Sequence, residues 1–253
     1  MPEQPDITPD LIVRQVRQRL DSLRSAGVEF LAKADPALEP PRPAAEPEAA
    51  ELSPDSPEYR RCELDVLAQE VAGCVRCKAL ASTRTQTVFG VGPVDPDLCF
   101  VGEAPGEQED YQGRPFVGPA GQLLDRIIGA CGMRRDDVYI LNILRCRPPG
   151  NRKPTAEEAG NCRGFLERQI ELVRPRFLCA LGATAAQHLL RSSLGIGKLR
   201  GRFHDFQGIP VICTYHPSYL LRLDEPDKTN KKREVWEDMK KLLERMGRPV
   251  PTK

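Results

Sequence analysis

The run Leu98-Cys99-Phe100-Val101-Gly102-Glu103-Ala104-Pro105-Gly106 (residues 98–106) holds four consecutive apolar side chains and then breaks into Gly, Pro and a carboxylate. An apolar run that short, closed by turn residues, reads as a strand buried on both faces. The pattern returns at residues 138–141, 177–181 and 209–214. Helical periodicities fill the intervals at residues 122–133, 155–173 and 184–190, and a last helix lies around residues 231–246. Short buried strands alternating with helices predict a parallel sheet covered on both sides. The expected fold is α/β, a three-layer α/β/α sandwich around a four-stranded parallel sheet. No internal repeat is visible.

Upstream of this body the composition changes. Residues 8–32 read as one amphipathic helix, with Leu11, Ile12, Val16, Leu20, Leu23, Val28 and Leu31 near helical spacing and arginines between them. Residues 33–57 then hold seven prolines in 25 positions, with Ala and Glu filling much of the rest. Such a stretch buries too little apolar surface to offset its ordering entropy and reads as a disordered linker. The expected division is an appendage over residues 1–57, whose helix docks a protein partner or folds back on the body, with a peripheral helix lacking a dedicated ligand as the favoured reading, and one domain over 58–253. The whole chain has 37 basic and 36 acidic side chains, but residues 1–57 hold 6 and 11 of them, leaving 31 and 25 in the body. A mildly basic body suits a polyanionic partner and is weak evidence taken alone. No run approaches the ~20 apolar residues of a membrane span, and the first residues lack the pattern of an export signal. A cytoplasmic location is expected, and the odd count of 9 cysteines there argues against a disulfide framework.

Ligands of open α/β sheets bind beyond the carboxyl ends of the strands. Those ends read Gly102-Glu103-Ala104-Pro105-Gly106, Asn142-Ile143-Leu144-Arg145-Cys146, Gly182-Ala183-Thr184 and Tyr215-His216-Pro217-Ser218. A carboxylate, an amide and an imidazole are thereby predicted to meet on one edge of the sheet. Singly, each has an ordinary explanation, as a solvated Glu or as an Asn or His capping a helix. A second constellation is Cys74-x2-Cys77, then Cys146 and Cys162. Spacing alone permits a four-cysteine zinc site or a [4Fe–4S] cluster. Cys62, Cys99, Cys131, Cys179 and Cys213 read as small buried hydrophobes.

In order along the chain, GEAPGEQED, GRPFVGPAGQLLD, NILRCRPPGNRKP and YHPSYLLR resemble the motifs of the bacterial and archaeal family 4 uracil-DNA glycosylases, over roughly residues 60–245. The resemblance implies a [4Fe–4S] cluster held by Cys74, Cys77, Cys146 and Cys162. It implies that Phe116 stacks on a flipped uracil, that Asn142 reads the base, and that Glu109 stands near C5, where a thymine methyl would be. By the same matching, Glu103 orients water and His216 hydrogen-bonds the uracil O2. The substrate implied is uracil-containing DNA, hydrolysed to leave an abasic site by a chain expected to act as a monomer.

Lys198, Arg200 and Arg202, in a Gly-rich loop, are candidates for phosphate contacts, as is Arg222. In Tyr219-Leu220-Leu221-Arg222, Leu220 is read either as a wedge filling the gap of the flipped base or as the start of a core-facing helix. Two rival functions share the motifs. One is an iron–sulfur DNA-binding module without turnover, disfavoured by the joint presence of Glu103, Asn142 and His216. The other captures uracil-DNA covalently through a histidine in an inserted basic loop. Residues 147–161 contain no His, and the first motif is GEAPG rather than GEQPG.

Overall fold

A computed structural model of the chain describes residues 9–28 and 53–251. The chain divides into two units, Met1–Glu51 and Leu52–Lys253. In the first, helix α1 (Pro9–Ser25) carries Val13, Val16, Leu20 and Leu23 exposed. Most of the proline-rich stretch lies outside the described residues. Its last residues belong to the second unit, where Asp55 pairs with Arg174 and the Ser56 hydroxyl accepts the Tyr59 N–H at 3.1 Å, capping α2.

The second unit runs α2 (Pro57–Ala72), α3 (Lys78–Ala81), β1 (Leu98–Gly102), α4 (Glu107–Gln112), α5 (Pro119–Ala130), β2 (Tyr139–Asn142), α6 (Ala156–Val173), β3 (Phe177–Leu181), α7 (Gly182–Leu190), α8 (Ile196–Leu199), β4 (Phe203–Phe206), β5 (Ile209–Thr214), α9 (Pro217–Leu221) and α10 (Asp227–Met246). The sheet order is β2-β1-β3-β5-β4. Alternation of side chains decides the layers. Cys99, Val101, Leu141, Ala180 and Cys213 face α2, α6 and α7. Their neighbours Leu98, Phe100, Ile140, Cys179 and Ile212 face α5, α9 and α10. This is the expected three-layer sandwich, and β1, β2, β3 and β5 are the expected four parallel strands.

A fifth strand was not expected. β4 pairs antiparallel with β5 at the sheet edge, Phe203 opposite Ile212 and Phe206 opposite Ile209. Its Phe-His-Asp-Phe sequence has no apolar run because only Phe206 is buried. The available signal was the turn, where Gln207 and Gly208 both take positive φ (53° and 86°), as a type I′ two-residue hairpin requires. The buried-cysteine reading needs one correction: Cys62 is exposed on α2, whereas Cys99, Cys131, Cys179 and Cys213 are buried. Among the described residues, no helix is long and apolar enough to cross a membrane.

Candidate active site

The carboxyl ends of the parallel strands open into a cavity of about 680 Å³, and Glu103, Glu109, Phe116, Asn142 and His216 all line it. Residues that are up to 113 positions apart in sequence thus share one wall-to-wall space.

Asn142 closes β2, paired in register with Gly102 at the end of β1. The residue is buried, and its side-chain carbonyl Oδ1 is a buried acceptor without a hydrogen-bond partner. Buried acceptors are rarely left unmet, so such an atom in a cavity marks a place for a donor from outside. Gly102 makes room for this arrangement. A Cβ there would collide with Asn142 Oδ1 and stand 2.6 Å from Phe116 Cζ.

Phe116 sits in the loop between α4 and α5 with φ of 52°, a left-handed conformation that is costly for a bulky residue. Hydrogen bonds hold it from two sides. Arg135 donates to the carbonyls of Phe116 at 3.0 Å and Pro115 at 2.6 Å. Glu109 Oε1 accepts the N–H groups of Val117 at 2.8 Å and Gly118 at 2.9 Å, and its Oε2 accepts that of Gly106 at 3.1 Å. With three backbone donors on one carboxylate, Glu109 is a fixed part of the wall and ties the first two motifs together. The clamped phenyl ring lies 5.6 Å from the His216 ring at 32°.

His216 caps α9 and takes its protonation state from its surroundings. Burial, followed by the charge of Arg222, pushes its pKa down to about 4, so the imidazole is neutral at pH 7. Its Nδ1 accepts the Ser218 N–H at 3.1 Å and lies 2.8 Å from Ser218 Oγ. A neutral ring that accepts at Nδ1 carries its proton on Nε2. His216 is therefore a neutral N–H donor. Glu103, the first residue after β1, stands half-buried at the same edge.

The cysteines gather on the neighbouring side. Cys146 and Cys162 are buried with Leu80 and Leu144, and Cys77 packs on them beside Ala104 of the first motif. Cys74 follows the end of α2. Arg84 Nη1 donates to Cys146 Sγ at 3.1 Å and Asn161 Nδ2 to Cys77 Sγ at 3.5 Å. Burial raises the Cys146 and Cys162 thiols, opposed by Arg84 at the first and by Arg145 at the second. Among the described residues, no three His, Cys, Asp or Glu side chains are placed to hold a single metal ion.

The DNA-contact candidates separate. Lys198, Arg202 and Arg222 are exposed, and Arg222 also lines the cavity. Arg200 is committed elsewhere: it bonds Asp238 at 2.8 and 3.0 Å and pairs with Glu234 at 3.0 Å, so its guanidinium braces α10. Leu220 is 1% exposed in the core, which rules out a wedge at that position, while Leu221 beside it is 37% exposed. Sequence reasoning missed Arg135, Arg152 and Lys153. The last two line the cavity, with Arg152 bonded to Glu158 at 2.8 and 2.6 Å and Lys153 exposed. Their signal was present in the GNRKP part of the third motif, whereas nothing local distinguishes Arg135 from a solvated charge.

The profile of the Uracil DNA glycosylase superfamily matches residues 89–240, which include every strand and the whole cavity edge. The chain belongs to this superfamily. It is 46% identical over 187 residues to a type-4 uracil-DNA glycosylase of Thermotoga maritima, covering 72% of this chain and 95% of that relative. A type-4 uracil-DNA glycosylase of Archaeoglobus fulgidus is 39% identical over 197 residues, covering 75% and 96%. A type-5 uracil-DNA glycosylase of Pyrobaculum aerophilum is 31% identical over 188 residues, covering 62% and 83%. Within the superfamily the chain thus falls with the type-4 enzymes.

Two outcomes follow from the geometry. Gly102→Ala should cost about 1–3 kcal/mol in urea unfolding, because the added methyl has to displace Asn142 and Phe116 together. The His216 imidazole should show the Nε2–H neutral tautomer by nitrogen NMR at pH 7 and titrate near 4, below its ordinary 6.5. Between those two values the unfolded chain takes up a proton that the folded chain refuses. The His216 contribution to stability should accordingly fall as pH drops through that window, and His216→Gln should flatten the fall.

Proposed function

We propose that this chain removes uracil from DNA by hydrolysing its N-glycosidic bond and leaves an abasic site. The observation that carries the reading is the unpartnered Oδ1 of Asn142 in a cavity walled by Phe116 and His216. A uracil flipped into this space stacks on Phe116 and meets the Asn142 amide edge-on. Uracil N3–H donates to Oδ1, and Nδ2–H donates to O4. Cytosine has no hydrogen on N3 and a donor in place of O4, so it mismatches at both points. The anchored Glu109 is the wall that excludes the 5-methyl of thymine.

Bond cleavage leaves the C1′–N1 electron pair on the base, delocalised to O2, and an oxocarbenium-like sugar. His216 Nε2–H donates to O2 as that charge grows. A neutral donor suits this task because it stabilises the anion without giving up its proton. Glu103 orients the water whose oxygen bonds to C1′ and accepts the proton that water releases, and its charge favours the cationic sugar. The uracil anion then leaves and is protonated by solvent. Lys153, Lys198, Arg202 and Arg222 hold phosphates, and Leu221 takes the wedge position that Leu220 cannot.

Cys74, Cys77, Cys146 and Cys162 hold a [4Fe–4S] cluster. Three of the four share one apolar pocket or pack on it, and side-chain N–H groups point at two of the sulfurs, as thiolates demand. When bound, the cluster supplies a cross-link between the α2–α3 turn, the loop after β2 and α6. The enzyme works as a cytoplasmic monomer, and deletion of residues 1–57 leaves excision on short oligonucleotides intact because no motif residue lies there.

A uracil-containing oligonucleotide treated with the purified protein and then with alkali tests the reaction. Strand cleavage is the expected result. A denaturation-resistant shifted band would mean covalent capture, and an intact unshifted strand would mean a binding module. In the same assay His216→Ala should slow single-turnover cleavage by about 10²–10³ with little loss of DNA binding, since the donor acts mainly as charge develops. Asn142→Asp should lose uracil excision, because a carboxylate sets an acceptor against O4. For the cluster, alanine at Cys74, Cys77, Cys146 or Cys162 should lower iron per chain. The same change at buried Cys131 should leave iron at the wild-type level.

A further inference from the structure

Arg145 is among the largest fully buried side chains, 1% exposed. The other buried arginine among the described residues, Arg60, pairs through both terminal nitrogens with Asp95. Arg145 has no carboxylate partner among the described residues, and the residue that follows it, Cys146, is buried together with Cys162. Its Nη1 donates to the main-chain carbonyl of Asn142, its Nη2 to Gln169 Oε1 at 2.6 Å, and its Nε has no partner. Gln169 in turn donates to the Tyr139 hydroxyl at 2.8 Å and the Phe89 carbonyl at 3.1 Å. A guanidinium keeps its charge at any ordinary pH, and an unpaired buried charge is strongly disfavoured. The side chain therefore needs a counter-charge, and the chain runs directly from it into Cys146 of the cage, while its fork holds the Asn142 carbonyl three residues before.

We propose that Arg145 is a positioning residue that couples the cysteine cage to the base-reading amide. Four thiolates around the cluster neutralise its charge, and its planar fork pins the Asn142 main chain at the end of β2. The inference rests on the cluster reading above and adds a consequence: loading the cage sets the geometry with which Asn142 meets uracil. Lysine in this position keeps the charge but has no fork to span Asn142 and Gln169 at once. Methionine keeps bulk and loses the charge.

The test compares wild type, Arg145→Lys and Arg145→Met, all purified anaerobically with the cluster in place. It reads iron and acid-labile sulfide per chain, the midpoint potential of the cluster, and kcat and KM on a uracil-containing oligonucleotide. Arg145→Met should shift the potential to more negative values, since a nearby cation favours the reduced cluster. Its iron affinity should fall by about 10–100-fold. Arg145→Lys should keep a potential close to wild type yet lose about 10–100-fold in kcat/KM, a separation that loss of folding does not produce. If Arg145→Met fails to fold, the lysine variant decides. Wild-type kcat/KM in Arg145→Lys, or an unchanged potential in a loaded Arg145→Met, overturns the coupling while leaving the cluster reading in place. A wild-type chain without iron overturns both.

Discussion

The pairing of β1 with β2, Gly102 opposite Asn142, is the constraint on which the rest of the site depends. Parallel strands all present their carboxyl ends at one edge, so β1, β2, β3 and β5 deliver their following residues to a common space. Within that edge the glycine matters because it has no Cβ. Asn142 and the Phe116 ring occupy the volume a side chain would take. The amide is thereby buried against a ring while its Oδ1 stays unbonded, and the site spends no internal donor on it.

Around this pair the chain holds costly conformations by over-determining them. Phe116 keeps a left-handed backbone because Arg135 takes its carbonyl and Glu109 takes the two N–H groups that follow. Held that way, the ring has little conformational freedom left to lose, which is what preorganisation means. His216 shows the same economy in protonation. Burial removes its charge, and the Ser218 N–H at Nδ1 selects the tautomer, so its donor is set before any substrate binds. The polar interior continues beneath the site through Arg145 and Gln169 to Tyr139, which joins the back of β2 to α6.

Legibility in the sequence varied with how local each signal was. The four parallel strands were readable because each is an apolar run largely buried, and their carboxyl ends named Glu103, Asn142 and His216. β4 was not readable, since an edge strand with one buried side chain has no such run. Arg200 reads as a phosphate contact, and Leu220 stays open between a wedge and a core-facing helix, for a related reason. A cation in a Gly-rich loop and a leucine after His-Pro-Ser look the same to local reasoning whether they face solvent or the core. Asp238 and Glu234, over thirty residues downstream, decide the first, and the apolar layer of α5, α9 and α10 decides the second.

What the sequence by itself determined is the four parallel strands, the cysteine spacing and the chemistry available at the strand ends. These depend on periodicity and residue type, which are properties of short segments. Only the tertiary structure decided which charges are free and which are bound, that Asn142 keeps an open acceptor, that His216 is neutral with its proton on Nε2, and that Arg145 lies buried with no carboxylate partner among the described residues. Each of these depends on burial and on partners distant in the chain. Desolvation and hydrogen bonding act through space, so residues far apart in sequence set them together.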